Sequence, residues 1–150
     1  MLKHILFPTD HSETAKVALQ YVKDLATRFE AEVTLLHAYE GLSTSVADIY
    51  DISYSSYMQE LEQSMEEKVN QHLGDVKAEL EAQGISVKAI ILRGEPGPVI
   101  VNLAAEQHAD MIVLGSRGLK AIRSFLMGSV SNYVVHHAHC PVMVIPTPQK

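Results

Sequence analysis

Five short apolar runs are separated by stretches whose apolar residues recur every three or four positions, and this alternation leaves few architectures open. The runs are Leu2 to Phe7, Val33 to Tyr39, Val87 to Leu92, Met111 to Leu114 and Pro141 to Ile145. Between the first two, Ala15, Ala18, Leu19, Val22, Ala26 and Phe29 line one face of a helix over 13–30, with Ser12 placed to cap it. Residues 40–56 show no clean period and read as a long loop or an irregular helix start. From Tyr57 the stripe Leu61, Met65, Val69, Leu73, Val76 and Leu80 keeps helical spacing as far as Gly84, a residue suited to ending a helix. Gly94-Glu95-Pro96-Gly97-Pro98 is a rigid turn feeding a third helix through about His108, and a fourth helix runs to about His137.

That order predicts an α/β fold: a doubly wound parallel sheet of five strands with helices on both faces, because parallel neighbours require right-handed crossovers. Met111-Ile112-Val113-Leu114, closed by Gly115, has the unbroken apolar pattern of a central strand covered on both sides. At 150 residues and 47% hydrophobic, the chain can bury a core as one domain spanning 1–150. Sheets of this kind bind ligands beyond the carboxyl ends of the strands, where the winding reverses. The loops to inspect are therefore Pro8 to Ser12, His37 to Gly41, Gly94 to Pro98 and Gly115 to Ser129. Under the strand order 3-2-1-4-5, Asp10 would face Gly115.

Charge narrows the ligand class. The net charge of -6 repels a phosphate backbone and argues against nucleic acid as a partner. It is unevenly spread, however: residues 1–83 carry 6 basic and 15 acidic side chains, and residues 84–150 carry 6 basic and 3 acidic. The second half is the better host for a small anion, while the acidic face of the second helix reads as solvated surface. The single cysteine, Cys140, cannot form an internal disulfide, and no apolar run approaches the ~18 residues of a membrane span. A cytoplasmic protein without membrane insertion is the expectation.

The segment from Gly115 to Ser129 joins backbone freedom to positive charge directly after a central strand. Gly115 and Gly118 allow close backbone approach, and Gly128-Ser129 at a helix start aims N–H groups and a hydroxyl at an anion. Arg117, Lys120 and Arg123 place three of the 12 basic side chains within seven residues. Neither the Walker P-loop pattern nor Gly-x-Gly-x-x-Gly is present.

The spacing Gly115-x2-Gly118-x9-Gly128-Ser129 resembles the ATP-binding signature of the universal stress protein family. The likeness extends through Ile5-Leu6-Phe7-Pro8-Thr9-Asp10, Val113-Leu114-Gly115-Ser116 and His137-Ala138-His139-Cys140-Pro141-Val142. The resemblance implies an adenine nucleotide alpha hydrolase-like sheet ordered 3-2-1-4-5 that binds ATP, or AMP or ADP, with Mg²⁺ or Mn²⁺ carried on the phosphates. It places Asp10 by the nucleoside and the divalent ion, with Pro8 and Thr9 shaping that end, and the Ala38 backbone against adenine. Leu114, Gly115, Gly118, Gly128, Ser129 and Val130 would cradle ribose and phosphates, helped by Arg117. His11 departs from the family pattern, standing where many members have glycine.

Rival sites carry less. His136, His137, His139 and Cys140 are zinc-ligand types, but neighbours on a helix end diverge, and a plain helix-to-strand junction accounts for them. The spacing reveals no paired carboxylates and no nucleophile with an evident base, so Ser129 reads as a phosphate binder and ATP hydrolysis as slow at most. His37, at a strand end, reads as packed or hydrogen-bonded, and Met65, Met111 and Met143 as core filler. The competing reading is a nucleotide-independent dimeric interaction protein with an unknown protein partner.

Val142 to Ile145 is a terminal strand with no helix after it, an apolar edge open to a second copy. A homodimer paired through this strand is the expected state, and light scattering at micromolar concentration should give twice the 16.6 kDa chain mass. A monomer mass at that concentration would count against the pairing.

Overall fold

The computed structural model describes residues 1–10, 12–41, 52–116 and 128–146. Its strands are β1 (His4–Pro8), β2 (Glu32–Tyr39), β3 (Val87–Arg93), β4 (Met111–Gly115) and β5 (Val142–Ile145), all parallel, in the order β3-β2-β1-β4-β5. The helices among the described residues are α1 (Glu13–Phe29), α2 (Ile52–Glu81), α3 (Pro96–Glu106) and α4 (Ser129–His137). The doubly wound sheet anticipated from the alternation is therefore present.

β1 lies at the centre, and Ile5, Leu6 and Phe7 are each 0% exposed, which explains why its apolar residues run on without alternating. Ile5 and Phe7 pack with Val33, Leu35 and Val113 beneath Ala18, Leu19, Val22 and Ala26 of α1 and Leu73, Val76 and Leu80 of α2. Leu6, Leu36, Ile112 and Leu114 face the opposite way, into a layer made with Ile100, Val101, Leu103 and Ala104 of α3 and Val134 of α4. The two faces of the sheet thus build two cores, each drawing on alternate strand residues. Nearly buried Lys23 reaches across from α1 to form an ion pair with Glu79 of α2.

Local signals account for the helix ends. Ser12 caps α1 by accepting the Ala15 N–H at 3.2 Å. Beyond α2, Gly84 takes a φ of +79° that glycine adopts without strain, and its N–H bonds the Glu81 carbonyl at 2.9 Å.

α2 begins at Ile52, ahead of the stripe from Tyr57, so the end of the stretch read as a long loop or an irregular helix start is helical. Residues 42–51 of the stretch that lacks a period lie outside the described residues. The apolar stripe is also only half used: Leu73, Val76 and Leu80 are buried, whereas Leu61 is 38% and Met65 50% exposed. Periodicity reports packing against a sheet, and the first half of α2 lacks that packing. Met65 is accordingly not core filler, while Met111 and Met143 do pack against the α1–α2 layer.

At the amino ends of the strands, Asp110 accepts the Lys3 and His4 N–H groups at 2.8 and 2.9 Å. The buried His4 ring bonds Thr34 Oγ1 at 2.8 Å and the Gln107 carbonyl at 3.3 Å, tying β1 to β2 and to the end of α3. The two backbone donors hold the Asp110 carboxyl below its ordinary value. A folded-state pKa lowered in this way stabilises the fold above the unfolded carboxylate value and loses that contribution as pH falls through the lowered one. Asp110→Asn should therefore lower the melting temperature near neutrality and lose less on acidification from about pH 6 to about pH 3 than the parent loses.

Candidate functional site

β1 and β4 are in register only at Ile5↔Met111 and Leu6↔Ile112. Past those pairs β1 continues to Pro8 and β4 to Gly115, so the sheet opens toward its carboxyl edge at the point where its winding reverses. The backbone groups of alternate residues face opposite neighbours along a strand. Ile112 donates to the Pro141 carbonyl and Ser116 to the Ile145 carbonyl, both toward β5, which turns the backbone groups of Gly115 toward the crevice. In β2, the Leu36 carbonyl accepts the Thr9 N–H toward β1 and the Tyr39 carbonyl accepts the Gly94 N–H toward β3, so the Ala38 carbonyl faces the space just beyond the end of β1.

The turn after β1 is tied down on every side. Thr9 is buried, and its N–H bonds the Leu36 carbonyl at 2.9 Å. Half-buried Asp10 accepts the Ser12 N–H on Oδ1 at 2.8 Å, a bond that orients the carboxylate and leads into the α1 cap. His37 Nδ1 donates to the Thr9 carbonyl at 3.2 Å, and His72 Nε2, from α2, donates to the Asp10 carbonyl at 3.1 Å. His37 also stacks on Tyr39, with ring centroids 6.3 Å apart. The Tyr39 hydroxyl donates to Glu66 at 3.1 Å and is held above the ordinary phenol value, first by burial and then by that carboxylate.

On the other side of the crevice, Gly115 is required by packing. A Cβ there would lie 2.5 Å from Thr14 Oγ1 and 2.8 Å from Thr14 Cβ, so the bare backbone lets the first turn of α1 sit against the end of β4. The next residue closes the base of the glycine segment: the Ser116 carbonyl accepts the Gly128 N–H at 2.6 Å and the Ser131 hydroxyl at 2.7 Å. Ser116 is 2% exposed, and its own Oγ has no hydrogen-bond partner among the described residues. It continues the Ile112–Leu114 face, toward α4.

α4 starts from Gly128 with no side-chain cap, and its first intrahelical bond runs from the Asn132 N–H to the Gly128 carbonyl at 3.0 Å. The N–H groups of Ser129, Val130 and Ser131 therefore lack intrahelical acceptors and carry the positive end of the helix dipole. An uncapped helix start beside a buried, unpartnered hydroxyl is a donor set that suits an anion.

Of the residues anticipated from sequence, Pro8, Thr9 and Asp10 lie on one side of the crevice and Gly115, Gly128, Ser129 and Val130 on the other. Ala38 lies within β2, paired with Leu92, and not just after that strand. The Leu114 side chain is buried in the α3–α4 layer. Arg117 and Gly118 lie outside the described residues, as do Lys120, Arg123 and His11. Sequence reasoning assigned no role to Thr14, His72, Ser116 or Ser131. The Gly115-Ser116 strand end and the serine three residues after Gly128 were the available hints for two of them, while nothing in the α2 pattern distinguishes His72.

The histidine-rich junction is built differently. His136 and His137 bond back to the carbonyls of Asn132 and Tyr133, each at 2.8 Å, and His137 stacks on Tyr133. Burial, followed by the Asp110 charge, raises the Cys140 thiol above its usual value and disfavours the thiolate a metal would need. Among the described residues no three His, Cys, Asp or Glu side chains are grouped to hold a metal ion, and no helix is long and apolar enough to cross a membrane.

Residues 1–146 match the universal stress protein family. The sequence is 35% identical to universal stress protein MJ0577 of Methanocaldococcus jannaschii, with 97% of this chain and 95% of that protein covered. The solved structure of MJ0577 superposes with a TM-score of 0.86 over 100% of this chain and 99% of that one. The fold is shared with two more distant structures: a universal stress protein in complex with cAMP (21% identity, TM-score 0.70, 96% of each chain) and one from Archaeoglobus fulgidus in complex with dAMP (23%, 0.65, 97% and 96%).

The Gly115 contact gives a test separate from any ligand. Gly115→Ala should cost about 1–3 kcal/mol in urea unfolding because the methyl meets α1. Adding Thr14→Ala, which removes the nearest atom, should recover part of that loss in a double-mutant cycle.

Proposed function

The chain belongs to the universal stress protein family, and we propose that it binds an adenine nucleotide, ATP foremost, in the crevice between the carboxyl ends of β1 and β4. In this reading it is a stress-response or regulatory module whose nucleotide sets its conformation or its partners, with at most slow hydrolysis.

The observation that carries the reading is the uncapped start of α4, close to the buried Ser116 hydroxyl that has no partner among the described residues, at the point where the sheet winding reverses. An anion there meets backbone N–H groups already aimed at it and the positive end of the helix dipole, the two features by which a helix start holds a phosphoryl group. Ser129 and Val130 supply the donors and Gly115 its crevice-facing backbone, with Gly118 and Arg117 joining them through the family motif. Across the opening, Asp10 spends one carboxylate oxygen on Ser12 and offers the other to the nucleoside or to Mg²⁺ or Mn²⁺ carried on the phosphates. The Ala38 carbonyl suits the amino group of adenine. The complexes of distant relatives with cAMP and dAMP support this assignment, since both ligands join adenine to a single phosphoryl group.

β5, the outer strand, keeps Val142, Met143 and Val144 half-buried, which fits pairing with a second copy. That edge also serves the nucleotide-independent alternative, so nucleotide binding is what separates the two readings.

Gly128 has an extended backbone (φ −75°, ψ 169°) that valine adopts readily, so Gly128→Val should fold while placing a side chain at the start of α4. With Mg²⁺ and about a hundredfold excess of ATP over its Kd, the parent should melt roughly 5–10 °C higher and the variant should not respond. An equal rise in both would remove the site from α4. No rise in the parent, with no nucleotide released on denaturation by mass spectrometry, would favour the alternative.

A further inference from the structure

We propose that His72 of α2 is a positioning residue for the nucleotide site: its imidazole holds the turn that presents Asp10, so α2 is part of the site although none of its side chains need touch the ligand. The inference rests on the nucleotide reading above and adds to it a residue on an element that reading did not use.

His72 stands immediately before Leu73, the first fully packed residue of the α2 stripe, where the helix passes from solvent onto the sheet. Its Nε2 lies 3.1 Å from the Asp10 carbonyl, 62 residues away in sequence. The preceding carbonyl, that of Thr9, accepts a hydrogen bond from His37 Nδ1 at 3.2 Å. Two successive carbonyls of one short turn are thus held by imidazoles from two different elements, while the Asp10 carboxylate is held from within the turn by the Ser12 N–H. These bonds fix the peptide planes on either side of Asp10 and with them the direction of its carboxylate.

α2 has other polar tethers along the same edge, Tyr39 to Glu66 and Arg93 to Glu62, but these reach the ends of β2 and β3. Among the described residues, His72 is the α2 tether that reaches the turn after β1. The Asp10 carbonyl accepts from imidazole and imidazolium alike, so the hold does not depend on the protonation state of the ring. His72 is only half-buried, and water can replace the lost donor, so removing it should change the geometry of the turn more than the stability of the fold.

The test compares His72→Leu, which keeps bulk and removes the donor, with His72→Gln, whose amide N–H reaches about as far as Nε2. Amide hydrogen exchange at Ser12 reports the turn without any ligand, and calorimetric titration with Mg-ATP reports the site. In His72→Leu, Ser12 should exchange faster and ATP should bind more weakly, each by about three- to tenfold, with the melting temperature retained. His72→Gln should restore both. Unchanged Ser12 exchange in His72→Leu would overturn the proposal, as would a failure of His72→Gln to restore exchange. If the parent itself binds no ATP, the nucleotide reading falls, and the exchange comparison still decides whether His72 holds the turn.

Discussion

A tight turn cannot join two parallel strands, so each strand in this sheet hands the chain to a helix before the next begins. With the right-handed crossover, that constraint puts α1 and α2 on one face, sends the chain from β3 across to β4 by way of α3, and leaves α3 and α4 on the other. β1 and β4 then carry their crossovers on opposite faces and separate after two paired positions. The crevice follows from this connectivity, and polar residues gather in it because strand carboxyl ends, turns and helix starts all leave backbone groups to be satisfied.

Electrostatics at the crevice is local. The charge of -6 says little about the crevice, because the acidic excess lies largely on α2, where solvent screens it. The start of α4 carries no side-chain cap, and its first N–H groups have no acceptor within the helix. α2 itself is held mainly at its second half, by Leu73, Val76 and Leu80 and by the Lys23–Glu79 pair, with His72 at the boundary. Among the described residues, the first half is tied to the sheet by polar contacts alone, Tyr39 to Glu66 and Arg93 to Glu62, and leaves Tyr57, Leu61 and Met65 exposed.

How far each feature could be read from the chain depended on how local its cause was. The Ser12 cap and the Gly84 terminator were legible because a cap or a left-handed turn is specified by a few neighbouring residues. The start of α2 was not, because helical periodicity appears only where a helix packs, and the first turns of α2 pack little. Gly115 was legible as a glycine of the site but for a different reason from the one found: its smallness accommodates Thr14, a contact across 101 positions that no local pattern encodes. The serines of the Ser116–Ser131 closure stood in plain view, yet only their meeting at one carbonyl distinguishes them from other surface-type residues.

The sequence by itself determined the fold class, the order of elements, the loops at which a ligand can bind and the family to which the glycine spacing points. Those depend on periodicity, turn residues and charge, which are properties of neighbours along the chain. Only the tertiary structure decided that His72 bonds the Asp10 carbonyl, that Ser116 buries a hydroxyl with no partner among the described residues near an uncapped helix, and that half of the α2 stripe stays exposed. Each of these is a relation between segments brought together by crossovers, and hydrogen bonding across such distances leaves no periodic trace in the residues that make it.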